Sequence, residues 1–460
     1  MNIKRYVGDK KFYGMVLTIA IPIMIQNGIT NFVSLLDNIM VGQIGTEQMS
    51  GVAIVNQLIF VFNLCIFGAI SGIGIFGAQF FGKKDYEGVR QTFRFKMLLC
   101  LALSIIVIMF FKGFSEVLIS LFLHDGSNTG DIKETLFFGK EYLNVMLLGL
   151  IPFAINQTYS STLRETGETV IQMKAGIVAV LANLCINYVL IFGKFGAPEL
   201  GVIGAAIGTV FSRFIECIII VTWTHRNKIK YAFIKGVYSS MYIPKSLIKN
   251  IAIKGTPLMV NEFLWAAGMS MLTQCYSVRG LAVIAGINIA STISNLFSIV
   301  YISCGSSVSI IIGQLLGAGK MEEAEDNARK LIFFSVMSCV VVGILMAIIA
   351  PAFPSIYNTS DEVKDLATKF IKILALCMPL SAFTNASYFT LRSGGKTVIT
   401  FLFDSMFVWI CSIPVAFVLS RYTNLDIVFI YLICQCLEFI KCVIGFVLVK
   451  SGVWIQNIVE

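Results

Sequence analysis

The sequence is poor in charged residues and has almost no histidine. Of its 460 residues, 13% are Asp, Glu, Lys or Arg and 2 are His. A soluble domain carries about 25% charged residues, so this chain could not cover a water-facing surface. His124 and His225 both fall in or beside predicted loops. A histidine-based metal or catalytic site therefore has little support.

Two other kinds of motif are also missing. None of the 12 cysteines forms a C-x-x-C pair, and nearly all lie within apolar segments, so we expect small buried hydrophobes rather than disulfides or metal ligands. No GxxxxGK[ST] loop occurs, so ATP is not the energy source in this chain. The sequence predicts no enzyme, no catalytic residue, no metal site and no cofactor.

Long apolar runs, in contrast, fill the chain. Hydrophobic residues make up 57% of it, and the mean hydropathy is +0.83. Runs of about 20 apolar residues are typical of transmembrane helices. We therefore predict an all-α integral membrane protein with twelve transmembrane helices, at roughly 13–41, 51–80, 95–123, 136–157, 170–193, 200–225, 250–277, 281–312, 331–356, 365–390, 397–420 and 426–449.

The net charge of +9 follows from membrane topology, so no nucleic-acid partner is expected. With the twelve predicted spans in place, most Lys and Arg gather in the loops on one side, which also carries both termini. The positive-inside rule assigns that side to the cytoplasm. We expect a multi-pass protein of the cytoplasmic (plasma) membrane of a prokaryote, with both termini cytoplasmic.

The chain contains two copies of one unit. Pro22 matches Pro257 and Gln79 matches Gln314, both at an offset of 235 residues, and STLRETGETVI later matches FTLRSGGKTVI at an offset of 228. Six spans per copy bring both copies into the membrane from the same side. Parallel repeats of this kind are a transporter architecture.

The repeat also predicts the domain organisation. Residues 1–225 form an N-lobe of six transmembrane helices and residues 250–460 form a C-lobe of six more. Residues 226–249 form a basic linker between them. We interpret this linker as a solvated cytoplasmic connector.

Five motifs give the chain a family resemblance. They are DNIMVGQIG, GAQFFGKKD, LRETGET, NEFLWAAGM and GQLLGAGKMEEA, in this order along the whole sequence. In these motifs the chain resembles the multidrug and toxic compound extrusion (MATE) family of transporters. The resemblance implies two six-helix lobes arranged as a V, and efflux driven by H+ or Na+. The wider superfamily also contains lipid-linked oligosaccharide flippases, which usually have additional spans.

A carboxylate lies within the first span. Placing an Asp at the centre of a spanning helix costs roughly 2.5–3.5 kcal/mol of insertion free energy, so we expect Asp37 to have a function. It belongs to a polar stripe at three- and four-residue steps, which faces protein or water: Asn27, Thr30, Asn31, Ser34, Asp37 and Asn38. Asn27 and Ser34 are candidate substrate-cavity residues.

Three polar residues of later spans are predicted to meet Asp37 at one depth. Asn183 and Asn187 share a face of the fifth span, and Thr209 lies in the sixth. One carboxylate among amide and hydroxyl oxygens can bind a proton or Na+. In one branch of the resembled family the matching residues are Asp, Asn, Asp and Thr, so Asn187 replaces an aspartate there. Asp37 is either an ion-coupling residue or a structural hydrogen-bond hub.

The second lobe offers further candidates. Glu262 in the seventh span matches a cation residue of other family branches. The aspartate that some of those members use in the tenth span is Ser381 here, and Asp404 in the eleventh span could replace it, unless Asp404 is simply exposed to water. Trp265 lies on the face of Glu262 and is a candidate wall of the substrate cavity.

Two pairs of opposite charge lie three residues apart within spans. They are Arg213 with Glu216 in the sixth span and Glu438 with Lys441 in the twelfth. We predict internal ion pairs that make these helices tolerable in the membrane, with gating between the lobes as the alternative.

Together these features predict a secondary active efflux antiporter. It would export organic cations or amphiphilic small molecules in exchange for H+ or Na+, with membrane lipid around it, as a monomer. A lipid or lipid-linked oligosaccharide flippase is the alternative, although that function favours a cationic cavity, whereas the charges within the spans here are largely acidic or paired.

Overall fold

A computed structural model describes residues 6–122 and 132–459 of the chain, apart from the side chains of residues 34, 35, 38, 39 and 46. Throughout these ranges the regular elements are helices, which confirms the predicted all-α fold. The first half contains α1 (Lys10–Gly42), α2 (Thr46–Gly82), α3 (Tyr86–Ser120), α4 (Ile132–Leu148), α5 (Leu150–Glu165), α6 (Val170–Ile191) and α7 (Gly201–Arg226).

The second half repeats this pattern. It contains α8 (Lys245–Ser277), α9 (Leu281–Gly317), α10 (Met321–Ile349), α11 (Asp361–Ser393), α12 (Thr397–Phe401), α13 (Ile413–Tyr422) and α14 (Ile427–Lys450). Two π-helical turns, Leu402–Met406 and Val408–Ser412, join α12 to α13 into one rod. Several helices, among them α2 and α9, are longer than the predicted spans because the chain continues as helix beyond the apolar stretch.

The helices are long and apolar enough to cross a membrane. Ten rods in the described ranges meet this condition, and α4 with α5, bent by 44°, forms an eleventh. The bend follows from Pro152, which has no N–H to donate back to the last turn of α4. α8, the repeat equivalent of α1, begins with three lysines in ten residues and completes six rods in each half.

By packing, the chain divides into two units. The first unit contains Ile25–Gly77 and Tyr86–Ile248, and the second contains Ala78–Asp85 and the chain from Lys249, together with the chain before Ile25. α1 therefore contributes residues to both units.

Part of the linker is packed against α3 within the first unit, so the linker is not solvated along its whole length, although most of its residues are exposed. Phe233 and Val237 each have 1% of their surface exposed. Arg90 Nε donates to the carbonyl of Phe233 at 3.0 Å, and Arg94 Nε donates to that of Val237 at 2.8 Å. The hydrophobic driving force comes from the buried apolar side chains in the first half of the linker: Tyr231, Phe233, Ile234 and Val237.

A second anchor holds the start of the linker. The Glu168 carboxylate accepts hydrogen bonds from Tyr231 Oη at 2.6 Å and Lys230 Nζ at 3.2 Å. Burial raises the pKa of Glu168, but these two hydrogen bonds outweigh it and hold the pKa below its ordinary value. Burial and the neighbouring Glu168 raise the pKa of Tyr231 to about 12. The anchor therefore stays intact at neutral pH.

In the second unit, α2 and α9 approach each other through equivalent residues of the repeat. A Cβ atom on Gly82 would overlap the backbone of Gln314, and one on Gly317 would overlap the backbone of Gln79. Glycine at both positions permits this close approach of backbones. The reciprocity matches the offset of 235 residues found in the sequence.

The segment after α14 packs into the second unit. Gln79 Nε2 donates to the carbonyls of Ser393 at 2.9 Å and Gln456 at 3.2 Å, and its Oε1 accepts from the Ile458 N–H at 2.8 Å. Trp454 is fully buried in an apolar cluster. One glutamine thus ties α2, α11 and the C-terminal segment together.

We expect Trp454→Ala to destabilise the protein by about 3–5 kcal/mol, because it removes a fully buried indole and leaves a cavity. Thermal unfolding in detergent measures this effect. Trp265→Ala is the control, since Trp265 is 41% exposed. Equal shifts in the unfolding temperature of the two variants would contradict a structural role for the C-terminal segment.

Candidate functional site

Four of the predicted site residues meet in the first unit. Asn187 Nδ2, on α6, donates to Asp37 Oδ1, on α1, at 2.8 Å. With the Asn183 amide nitrogen turned towards Asp37, it donates to the same oxygen at 3.0 Å, and its own oxygen accepts from the Thr209 N–H of α7 at 3.2 Å. Asp37, Asn183, Asn187 and Thr209 therefore lie at one depth, as the sequence predicted.

The helical geometry explains why these side chains converge. Asn183 and Asn187 are one turn apart on α6, so both point towards the same neighbour. Both are buried, with 4% and 0% of their surfaces exposed. Hydrogen bonds to a charged acceptor are about twice as strong as neutral ones, so two amide donors favour the ionised form of Asp37. Binding of a proton or a cation would therefore rearrange this set of hydrogen bonds.

The remaining residues of the predicted stripe are less closely connected to Asp37. Asn27 is half-buried on α1. It lies ten residues before Asp37, or about 15 Å along the helix axis at 1.5 Å per residue. The side chain of Ser34, the second candidate for the substrate cavity in this helix, lies outside the described part of the structure. Both assignments stay predictions.

Gly208 leaves space for the side-chain amide of Asn187. A Cβ atom at Gly208 on α7 would overlap Asn187 Oδ1. This oxygen is buried, and within residues 6–122 and 132–459 it has no hydrogen-bond partner. α7 therefore fixes the side of the Asn187 amide opposite to Asp37.

We expect Gly208→Ala to displace Asn187 from Asp37, with strain of about 1–3 kcal/mol, and to lower ion-driven transport. Gly113→Ala is the control, since nothing lies within 4 Å of a Cβ atom at Gly113. Transport by the two variants, reconstituted at equal protein density, tests the effect. Equal activity of both would show that the position of Asn187 is unimportant.

A second polar cluster lies in the second unit. Lys441 Nζ, on α14, donates to Asp404 Oδ1 at 2.7 Å, and Asn261 Nδ2, on α8, donates to Asp404 Oδ2 at 3.1 Å. Asp404 and Ser405 belong to the first π-helical turn, and Ser405 Oγ donates to Asn261 Oδ1 at 2.7 Å. A π turn changes the direction of successive side chains, so both of these residues reach Asn261.

Glu262 borders this second cluster. Its carboxylate accepts a hydrogen bond from Tyr388 Oη of α11 at 3.4 Å, and Asn261 Nδ2 also lies 3.4 Å from the Tyr388 hydroxyl oxygen. Glu262 carries no salt bridge in the described ranges. Trp265, one turn further on α8, is 41% exposed. Its place in a substrate cavity stays a prediction.

The predicted ion pair between Glu438 and Lys441 is wrong. Lys441 pairs with Asp404, while Glu438 accepts a hydrogen bond from Thr384 Oγ1 at 3.2 Å. The side chains of Lys441 and Asp404 are 8% and 18% exposed. A partner on another helix can approach a buried ammonium more closely than a neighbour on the same helix.

The predicted ion pair between Arg213 and Glu216 is not in direct contact: no salt bridge joins them in the described ranges, and the two charges interact at longer range. The Arg213 guanidinium lies 4.9 Å from the ring centre of Phe153 and donates to the Gly149 carbonyl at 3.4 Å. Glu216 accepts a hydrogen bond from Asn156. The bend between α4 and α5 exposes the carbonyl that Arg213 uses.

Sequence reasoning missed a buried ion pair in the first unit. Lys96 Nζ lies 2.5 Å from Glu165 Oε1 and 3.3 and 3.2 Å from the hydroxyls of Ser161 and Thr162. Lys96 is fully buried. The signal in the sequence was the lysine at the start of the third predicted span, because a charged side chain within a span requires a partner.

A family model matches most of the chain. The model described as MatE matches residues 22–189 and again residues 257–418. One match falls in each repeat.

Curated relatives match over nearly the whole length. A probable multidrug resistance protein NorM of Thermotoga maritima is 26% identical over 411 residues, which are 89% of this chain and 86% of that protein. Another of the same description, from Oceanobacillus iheyensis, is 27% identical over 415 residues, which are 89% of this chain and 90% of that protein.

Solved structures share the fold. A MATE transporter crystallised in complex with MaD3S superposes with a TM-score of 0.85 at 18% identity, covering 98% of both chains. A multidrug resistance MATE transporter of the MOP superfamily in an outward-facing conformation gives a TM-score of 0.83 at 18% identity, again over 98% of both chains.

Proposed function

Because the chain belongs to the MatE family of multidrug and toxic compound extrusion transporters, we propose that it is a secondary active exporter that exchanges organic cations or amphiphilic small molecules for protons. The observation that carries the coupling part of this proposal is the half-buried carboxylate of Asp37, which lies beside the amides of Asn187 and Asn183 and accepts their hydrogen bonds. The curated relatives described as multidrug resistance proteins support the efflux part.

A proton fits this site better than Na+ does. Na+ is held by oxygen atoms, whereas the Asn187 amide turns its nitrogen to Asp37 at 2.8 Å. A second carboxylate close to Asp37 would favour a cation, but Asn187 is neutral. A proton needs only one carboxylate oxygen.

The coupling cycle we propose runs through α1. With Asp37 ionised, the two amide donors hold α1 to α6. Protonation removes the charge, weakens both hydrogen bonds and lets α1 move relative to α6. α1 contributes residues to both units, so its movement is the means by which the proton changes access to the cargo site.

The second unit plays a different part in this proposal. Asp404 already has a cation, the Lys441 ammonium, at 2.7 Å, so we assign it to structure rather than to ion coupling. Glu262 is the second acidic group available to a proton or a cationic cargo, because within residues 6–122 and 132–459 its carboxylate has no salt bridge and accepts a hydrogen bond from the Tyr388 hydroxyl.

For orientation, we propose cytoplasmic termini in the plasma membrane of a prokaryote. The linker and the N-terminal segment carry an excess of Lys and Arg, which the positive-inside rule assigns to the cytoplasm. We also propose that the monomer is the transport unit, since one chain contains both repeats.

Gradient-driven transport in proteoliposomes tests the coupling ion. Uptake or release of a fluorescent organic cation is followed with an imposed pH gradient, an imposed Na+ gradient or neither. The proposal predicts transport with the pH gradient alone. Transport only with the Na+ gradient would show that Na+ is the coupling ion instead of the proton. No response to either gradient would favour a flippase.

A further inference from the structure

A lateral cleft opens in the first unit, away from the Asp37 site. Its volume is about 490 Å³, and α3, α5, α7 and the linker form its walls. The lining surface is almost entirely apolar and includes Leu101 of α3, Ile155 of α5 and Val221 of α7. A cavity of roughly 300–1,000 Å³ is the size that accommodates a small ligand.

The polar aromatic groups of the cleft lie at its linker end. The hydroxyl of Tyr159 makes hydrogen bonds with the hydroxyl of Tyr238 and with His225 Nε2, the latter at 2.9 Å. The rings of His225 and Tyr238 stack with their centres 5.9 Å apart. An apolar body with a polar aromatic end is the distribution found where a membrane protein meets the headgroup region.

The protein surface on both sides of the cleft is apolar and exposed. Leu98 of α3 is 43% exposed, and Ile218 of α7, which lines the cleft, is 61% exposed. In a membrane-spanning chain such side chains face hydrocarbon, so the cleft is accessible to lipid tails. Other exposed apolar side chains on α3 and α7 are Ile105, Ile106, Phe211 and Phe214.

The linker beside the cleft is strongly basic. Its residues 226–249 contain six Lys or Arg and no Asp or Glu. Lys228 and Lys235 are exposed, and the described chain records no ion pair for either. A basic segment at the membrane surface attracts anionic headgroups.

We propose that this cleft binds an anionic phospholipid, with one acyl chain between α3, α5 and α7 and the phosphate at the linker. The apolar lining of the cleft suits the acyl chain, and the six basic residues of the linker suit the negative charge of the headgroup. A cationic cargo molecule would be repelled by the same linker, so the charge favours a phospholipid. The bound lipid would hold the linker against α3, in addition to the hydrogen bonds from Arg90 and Arg94.

Lipid binding to the purified full-length protein tests the proposal. The delipidated protein is titrated with phosphatidylglycerol or phosphatidylcholine, and bound lipid is counted by native mass spectrometry. We expect phosphatidylglycerol to be retained in preference to phosphatidylcholine, and to raise the unfolding temperature more. Equal retention of the two lipids would overturn the proposal.

A variant that fills the cleft locates the lipid. Thr222 lines the cleft and is exposed, so Thr222→Trp adds an indole at its mouth. Val178→Trp on α6 is the control, because Val178 is 47% exposed and does not line the cleft. We expect Thr222→Trp to lower phosphatidylglycerol affinity by more than about tenfold and the control to leave it unchanged. Equal affinities in both variants would overturn the assignment to this cleft.

Charge removal tests the headgroup contact. We expect the double variant Lys228→Gln and Lys235→Gln to weaken phosphatidylglycerol binding roughly 30-fold, from the usual contribution of a basic residue near an anionic surface. The control removes Lys112 and Lys194, two exposed lysines outside the linker. Equal loss in both double variants would overturn the role of the linker. The proposal would also be overturned if the protein retained a fluorescent organic cation instead of lipid and Thr222→Trp abolished that retention.

Discussion

Asp37→Asn is expected to abolish proton-driven export and to leave the fold intact. The asparagine side chain has the shape of the carboxylate, and its oxygen can still accept the hydrogen bond that Asn187 Nδ2 makes with Asp37 at 2.8 Å. It cannot take up a proton, so the step that couples the pH gradient to cargo movement is lost. The change in the free energy of unfolding should stay within about 1.5 kcal/mol, the usual net contribution of one hydrogen bond.

Transport by this variant is measured in proteoliposomes with an imposed pH gradient, and its folding is measured by thermal unfolding. Asp326→Asn is the control, since Asp326 pairs with Lys330 on the exposed surface of α10. We expect the control to transport like the natural chain. Full pH-driven export by Asp37→Asn would leave Asp37 as a structural hydrogen-bond hub, which was the alternative that the sequence left open.

Lys441→Met is expected to destabilise the protein strongly. It leaves the Asp404 carboxyl largely buried, without the ammonium that lies 2.7 Å from it. Removing one partner of a buried ion pair costs about 3–5 kcal/mol. The unfolding temperature and the yield of folded protein in detergent should both fall.

The double variant Lys441→Met with Asp404→Asn provides the matched test. It removes both charges, and Asn261 can still bond to an amide at position 404. We expect it to recover most of the lost stability, because the large cost arises from the charge that is left alone. Failure of the second change to rescue the first would show that Lys441 acts through packing, for example against Phe403, whose ring centre lies 5.4 Å from Nζ.

The sequence sufficed for the Asp37 cluster because the relevant geometry is local. An i, i+4 pair on one helix shares a face, and counting from the loops gives each residue its depth. Asn183, Asn187 and Thr209 could therefore be placed beside Asp37 before any coordinates were known. The amide orientation and the tight fit at Gly208 depend on the packing of α6 against α7, which the sequence does not encode in a readable pattern.

The second cluster was less predictable for a definite reason. Lys441 has an acidic neighbour three residues away, Glu438, so a local pair was the natural prediction. Its true partner, Asp404, lies in a π-helical turn, and that turn breaks the periodicity from which the face of a residue is deduced. Asn261, which completes the cluster, is uncharged and gave no signal of its own.

The linker shows how a charge pattern can mislead. Its many lysines suggested a solvated connector, whereas its apolar residues determine where it lies. Phe233 and Val237 are buried against α3, while the exposed lysines remain outside. The arginines that hold it, Arg90 and Arg94, belong to α3, about 140 residues earlier in the chain.

Cargo-induced proton release from the purified protein is the most direct test of proton coupling through Asp37. The protein is held in weakly buffered detergent solution near the pH at which Asp37 is protonated, an organic cation is added, and released protons are followed with a pH-sensitive dye. We predict that the natural chain releases protons on cargo binding and that Asp37→Asn releases markedly fewer. Equal proton release by the two proteins, with cargo binding intact in both, would contradict it.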